Sequence, residues 1–514
     1  MRAAKLLTVF LAAPAFASLP GCTDLTETPA SSITPENFYK NEEEVLGGLA
    51  SVYSQMRISF PGYTDGGYWT VSEVSSDEMI VPTRGNDWAD GGRWLDIDAQ
   101  RWTVSSPGTL SDINNVWVPS FIGIARANVL LAALENVAVP NEAVIAAEAR
   151  TLRAFYYYML MDMFGGVPIV TEIEIAARPQ NTRQEVFDFI ETELNEARTA
   201  LPASWPANQH GRMTQGAADA ILASMYLNAQ VFTGTVTATG LQPGTARWAD
   251  AIVVADRIIN SGVYSLSTDW RVNFRHDNHL SPENILVVKF LAEPDLGLRF
   301  LNASLHYNQF TPGPWNGFSI LADAYNQFDA NDQRRQAFLV GPQVNVEDGT
   351  PICERPGCAA GGVPLVFTVT IGDATAAREN EGVRFLKWPV DPNHNQPDNG
   401  NDFAWFRLAE IYLIKAEAQF ELGNPGGALL ILNQLRARAF EPDEDLTAVT
   451  RDVILRERLF ELAAEGKRRQ DLIRHGRFTE AWTFKPVTDP YRILMPIPQT
   501  QLDANPMLVQ NPGY

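Results

Sequence analysis

Apolar positions recur every three to four residues through much of the chain. That spacing predicts helices at about 35–56, 111–136, 142–164, 183–200, 214–232, 247–261, 404–422, 425–439 and 450–465. Ala428, Leu432, Leu435 and Ala439 form one apolar stripe at i, i+4, i+7 and i+11. Between 409 and 423, small Ala409, Ala416 and Ala418 lie among Tyr412, Leu413 and Phe420, so two helices can approach closely. Gly423-Asn424-Pro425 predicts a tight turn between antiparallel helices, and Thr34-Pro35 an N-cap followed by proline at the first helical position. The periodicity lapses twice. Residues 59–107 read as a loop rich in aromatics and glycine, and 262–402 as a mixed segment rich in Asn, Pro and Gly. The latter holds β-like runs such as Asn284-Ile285-Leu286-Val287-Val288, and a short helix is predicted at 319–328. No strict 34-residue period survives, so the pattern gives a mostly α fold of degenerate helix pairs with a loop-rich irregular region carrying short β elements.

The first residues read as an address. Arg2 and Lys5 precede an apolar run at 6–13 that is too short to cross a bilayer, and the segment ends Leu19-Pro20-Gly21-Cys22. This ending resembles a bacterial lipobox, which makes 1–21 a lipoprotein signal peptide and Cys22 the lipidated residue. The other reading is a plain secretory signal cleaved near Ala17, with Cys22 an incidental thiol. Residues 22–34 are polar and punctuated by proline, which predicts an extended tether.

Composition narrows the function. The 514 residues carry 40 Lys+Arg against 61 Asp+Glu, a formal charge of −21 that becomes −23 on loss of Arg2 and Lys5. Such a chain repels phosphate backbones and anionic lipid, so a general nucleic-acid binder is excluded. In an oxidising compartment Cys353 and Cys358, in a Gly/Pro-rich stretch, read as a disulfide that staples a surface loop, with two free thiols the alternative.

Five motifs then occur in a recognisable order. They are Arg150-Thr151-Leu152-Arg153-Ala154-Phe155-Tyr156-Tyr157 with Phe164-Gly165-Gly166-Val167-Pro168; Phe406-Arg407-Leu408-Ala409-Glu410-Ile411-Tyr412-Leu413 with Lys415-Ala416-Glu417-Ala418; and Leu432-Asn433-Gln434-Leu435-Arg436-Ala437-Arg438-Ala439. Glu457-Arg458, Glu461-Leu462 and Glu465-Gly466 lead into Asp471-Leu472-Ile473-Arg474, and the chain closes on Pro496-Ile497-Pro498 through Gln510-Asn511-Pro512-Gly513-Tyr514. Together they resemble the SusD/RagB family of outer-membrane lipoproteins over nearly the whole length. The resemblance implies about four tetratricopeptide-like helix pairs in a superhelical scaffold. It divides the chain into an N-terminal region at 35–261, a loop-rich insert at 262–402 and a C-terminal helical region at 403–514.

Candidate chemistry is sparse. Glu457 and Glu461 share a helix face, with Glu465 at i+8, and the pair invites an acid/base reading, set against a buried ion network with Arg468, Arg469 and Arg474. His276-Asp277-Asn278-His279 is a His/acid cluster that reads as a polar loop rather than a metal site. No nucleophile elbow, zinc-protease motif, Walker loop or dinucleotide fingerprint occurs, so no catalytic residue, metal or cofactor is assigned. Binding has more support. Trp69, Trp88, Trp94 and Trp102 crowd into 34 residues, beside Tyr68, Arg84, Asn86, Asp87, Asp90, Gly91 and Gly92. Flat rings beside carboxylates, amides and guanidinium suit the C–H faces and hydroxyls of sugars. Tyr307, Asn308, Trp315, Asn316 and Phe318 form a second such loop. The expected ligand contacts are Trp88 and Trp94, with Trp69 and Trp315 secondary, and Arg84, Asp87, Asp90 and Asn316 as polar partners. The opposing reading makes each tryptophan an anchor of a long loop to the core. The resemblance implies a non-catalytic, lipid-anchored protein at the outer membrane, facing the cell surface. It would capture glycan oligomers for a SusC-like TonB-dependent transporter, a peptide cargo being the alternative and a surface glycoside hydrolase a distant third.

Overall fold

The computed structural model describes residues 38–59, 66–174, 176–311, 313–354, 358, 361–395 and 397–514. Cys22, the signal segment, the tether and Thr34-Pro35 lie outside them.

The scaffold is a stack of helices. They are α1 (Glu42–Ser59), α2 (Tyr68–Val74), α3 (Arg93–Asp98), α4 (Asn114–Leu134), α5 (Glu142–Phe164), α6 (Arg183–Arg198), α7 (Gln215–Leu227) and α8 (Trp248–Ile259), then α9 (Leu408–Glu421), α10 (Pro425–Arg436), α11 (Arg451–Leu462) and α12 (Arg468–Arg474). α1 packs on α4, α4 on α5, α5 on α6, α6 on α7 and α7 on α8. α8 then packs on α9, as if residues 260–407 were a long excursion from one continuous stack. Local signals place the helix ends. Thr182 and Glu185 form a reciprocal capping box on α6, and Asn424 accepts from the Gly427 amide at 3.1 Å to start α10 behind Pro425. Gly165, at φ 75°, ends α5, and a Cβ on Gly166 would lie 2.3 Å from the Asn181 carbonyl, so the chain reverses there only with glycine. Thr109–Leu134, a π turn running into α4, is long and apolar enough to cross a membrane by length and composition. Here it is a core helix, clasped between α1 and α5.

Three helices differ from the pattern's expectation. Residues 403–407 form a strand rather than the first turn of a helix, held extended by antiparallel pairing with 284–288 and with all five side chains of Phe403–Arg407 buried. With β1 (Met79–Ile80), β2 (Asn284–Val288) and β3 (Ser319–Ile320) named first, this strand is β4, antiparallel to β2 with Phe403 opposite Val288. The helix expected at 319–328 is β3 followed by the single turn Ala322–Tyr325. α7 stops at Asn228, whose side chain bonds back to the Ser224 carbonyl at 2.9 Å before one more turn at Ala229–Phe232. The loop 59–107 also holds more order than expected, since α2 and α3 lie within it.

The acid/base reading of α11 fails and the ion network stands, with other partners than expected. Glu457 pairs with Arg436 at 2.5 Å, and Glu461 with Arg407 at 2.7 Å, Arg334 at 2.8 Å and Arg438 at 2.5 Å. Glu465 meets Arg407 at 2.7 Å and Lys387 at 2.6 Å. The neighbouring cations go elsewhere: Arg468 to Asp77, Arg469 to Asp162, Arg474 to Glu417 and Asp471. Burial alone raises the Glu461 carboxyl, but Arg438, Arg407 and Arg334 outweigh it and hold it well below the usual carboxylate range. A carboxylate so buried and so fully paired has neither access to substrate nor a proton to trade.

Candidate functional site

Pairing of β1 with β3 sets Met79 opposite Ile320 and Ile80 opposite Ser319. Two loops far apart in sequence, one following residue 80 and one preceding 319, are thereby laid side by side. The first opens with a tight hairpin in which Arg84 and Asp87 exchange backbone hydrogen bonds of 3.0 Å. Gly85, first of its two central residues, has φ 61°, where such turns take glycine. The second loop is closed by pairing of 302–305 with 315–317, through Trp315 N–H to the Asn302 carbonyl at 2.6 Å and Asn316 N–H to the Leu305 carbonyl at 2.9 Å.

Trp88 locks the two loops together. Its indole N–H donates to the Trp315 carbonyl at 2.7 Å, and its ring fills the space a Cβ on Gly317 would need. Trp88, Trp94 and Phe318 pack edge to face with centroids 5.4–5.6 Å apart. Three non-glycine residues here, Trp88, Asp90 and Asn316, adopt positive φ, a strained conformation that persists only where its surroundings enforce it.

Most of the residues expected to touch ligand are therefore enclosed. Trp69 and Trp94 are wholly buried and Trp88 retains 8% of its surface, so these rings do not form an exposed platform. Trp69 stacks on Phe300 at 4.2 Å and donates to the Ala464 carbonyl at 2.8 Å, as a core anchor does. Trp94 donates to Asp90 at 2.7 Å and lies under the Arg93 guanidinium. Arg84 is also buried, its donors directed to the Arg378 carbonyl, to Ser319 Oγ at 3.0 Å and to the Glu381 carbonyl at 2.8 Å; burial pulls it down to about 10. Asn316 accepts from Arg384 at 2.8 Å and donates to the Glu379 carbonyl at 3.0 Å. Arg84 and Arg384, a residue to which no motif pointed, thus clamp the loop 378–382 against the site from within. Rings and charges that looked available along the sequence are consumed in holding loops.

What they hold up is a smaller face. Asp87 and Asp90 are exposed, and Tyr307, Asn308 and Trp315 are half-buried. The Tyr307 hydroxyl donates to the Asp87 carboxylate across the two loops. The Tyr307 ring and the Asp87 carboxylate thus meet across the two loops, and Trp88, next to Asp87, grips the backbone carbonyl of half-buried Trp315. Behind it His306 is buried; its Nδ1 accepts from the Asn308 amide at 3.3 Å and its Nε2 faces Glu379 at 3.2 Å. Below, Glu73 and Glu78 at the root of β1 are fully buried and accept from the Gly466 and Ala464 amides. Burial pushes Glu78 up to about 7 and Glu73 well above the usual range. These carboxyls lie inside the protein, out of reach of any ligand.

Comparison with known proteins now places the chain. Residues 316–514 match the model of the SusD family, and 70–227 a model described as starch-binding, associating with outer membrane. The chain belongs to the SusD family. It is 26% identical to the SusD-like protein P25 of Formosa agariphila, covering 95% of this chain and 96% of that one. It is also 26% identical to the starch-binding protein SusD of Bacteroides thetaiotaomicron, over 86% and 84% of the two chains. Among solved structures, a laminarin-binding SusD-like protein superposes with a TM-score of 0.73 at 26% identity, covering 93% of this chain and all of the other. The surface glycan-binding protein A of Bacteroides thetaiotaomicron, in complex with laminarihexaose, gives 0.73 at 21% identity over 92% and 100%, a likeness of fold. These matches agree with the helical scaffold derived from the sequence pattern.

Proposed function

We propose that this SusD-family protein captures glycan oligomers without altering them and delivers them to a SusC-like TonB-dependent transporter in the outer membrane. The observation that carries the reading is the Tyr307–Asp87 contact between two loops joined by a buried aromatic lock, with half-buried Trp315 on the same loop as Tyr307. Rings offer stacking surface to sugar C–H faces while Asp87 and Asp90 accept from hydroxyls. Such a shallow face suits an extended oligomer better than an enclosed small molecule. Relatives named for starch and laminarin support a carbohydrate ligand. A role without chemistry is supported by the carboxylates of α11, which are buried and paired, and by Glu73 and Glu78, which are enclosed out of reach.

The experiment is a glycan array with a peptide library alongside, on the chain lacking residues 1–21. Neutral oligosaccharides should bind and be recovered intact. Selective peptide capture, or release of shortened sugar, would contradict the proposal.

Anchoring follows from Cys22 and is tested separately. Metabolic labelling with a fatty-acid analogue should mark the wild type and miss Cys22→Ala. Mild detergent extraction and affinity purification should recover a β-barrel partner at near-equal stoichiometry; repeated recovery of the protein alone would count against delivery to a transporter.

A further inference from the structure

Cys353 and Cys358 form a disulfide, and its surroundings give it a more specific task than closing a loop. The segments 341–346, 350–354 and 363–367 fold onto one another: Gln343 and Ile352 each exchange a hydrogen bond with their neighbours, and Cys353 bridges Pro364. The core of this unit is small, consisting of Ile352, Leu365 and Phe367 with Leu339 beside them. It abuts the loop that carries Tyr307. The Asn308 side-chain amide donates to the carbonyl of Cys353 itself at 2.9 Å, Gln309 bonds Gln343 at 3.2 Å, and the Val346 amide donates to the Gln309 carbonyl at 2.8 Å. Asn308 is the residue next to Tyr307.

A bridge between residues only five apart restricts little of the unfolded chain, so its contribution to global stability is small. Cys353 is nevertheless buried, and its carbonyl is the atom that Asn308 grips. A weakly cored unit of this kind would shift readily, and with it the neighbouring ring.

We propose that the Cys353–Cys358 unit is a positioning element of the ligand face, acting through Asn308 to hold Tyr307 against Asp87. The inference rests on the glycan-binding reading above. Its test uses two variants, Asn308→Ala and the double variant Cys353→Ser with Cys358→Ser. Laminarihexaose, maltohexaose and cellohexaose serve as probes by titration calorimetry, with hydrogen exchange of the backbone amides of 306–311 measured without ligand. One lost hydrogen bond predicts roughly three- to tenfold weaker binding of whichever probe the wild type takes, in both variants. Exchange at 306–311 should quicken about tenfold while the melting temperature stays nearly constant. Unchanged exchange and unchanged affinity in both variants would overturn the proposal, as would a fall in melting temperature with no local change. A wild type that binds none of the probes would count against the glycan reading, and exchange at 306–311 would then decide the positioning claim alone.

Discussion

Single residues here divide into those that hold the site and those that present it, and the two respond differently to truncation. Trp315 is half-buried, so Trp315→Ala should weaken glycan binding about 5–30-fold, the equivalent of roughly 1–2 kcal/mol of stacking. Trp315 also packs partly against the core, so stability should fall by about 1–2 kcal/mol. Trp69→Ala should behave in the opposite sense. That ring is wholly enclosed, stacked on Phe300 and bonded to the Ala464 carbonyl, so its loss should cost about 3–5 kcal/mol in denaturant unfolding. The same pair of measurements on Trp94→Ala should give the core result. The sequence showed that these rings were crowded, which was correct, but crowding says nothing about which side of a loop faces water. Four tryptophans in a short segment meet the surface only if the loop is flat. This one contains α2 and α3, and a helix turns part of every such segment inward.

Elements carry the ion network and the titration behaviour. Arg407 sits on β4 yet binds Glu461 on α11 and Glu465 just beyond it, so Arg407→Ala should remove the cation that two buried carboxylates share and cost about 3 kcal/mol. Glu78, at the root of β1, behaves differently. Its folded pKa, pushed by burial to about 7, lies above that of the unfolded chain, so the folded state binds the extra proton and is favoured at low pH. Stability from this group is complete below about pH 4.5 and is lost as pH rises through 7, with a slope of at most about 1.4 kcal/mol per pH unit for one proton. Glu78→Gln should therefore flatten the decline in melting temperature between pH 5 and 8. An undiminished decline would place the titration elsewhere. Helices were legible along the chain because burial on one face imposes a period, as α6 and α10 illustrate. β4 was not, because five consecutive buried residues carry no period to distinguish strand from helix. The partners of Glu461 were equally hidden, since Arg334, Arg407 and Arg438 reach it from three separate segments while Arg468 and Arg469 lie closer in sequence and face away.

For the whole molecule, the unbroken packing from α1 through α8 to α9 explains how a long excursion is tolerated. Residues 260–407 leave a stack that closes behind them, and their β3 returns to pair with β1 and bring together the two loops of the proposed ligand face. The formal charge of −21 acts at this scale too. Sulfated or uronate-rich polysaccharides should bind at least tenfold more weakly than neutral oligomers of equal length at low salt, the gap narrowing as salt is added. The proposed face for neutral glycan comprises Asp87, Tyr307 and Trp315. It is tested most directly by titrating the chain lacking residues 1–21, wild type and Trp315→Ala in parallel, with the neutral oligosaccharide that the array selects, followed by chromatography of the recovered sugar. The wild type should bind saturably, the variant about 5–30-fold more weakly with only a small fall in melting temperature, and the sugar should be recovered intact from both. Equal affinity in the two proteins, or shortened sugar from either, would contradict the proposal.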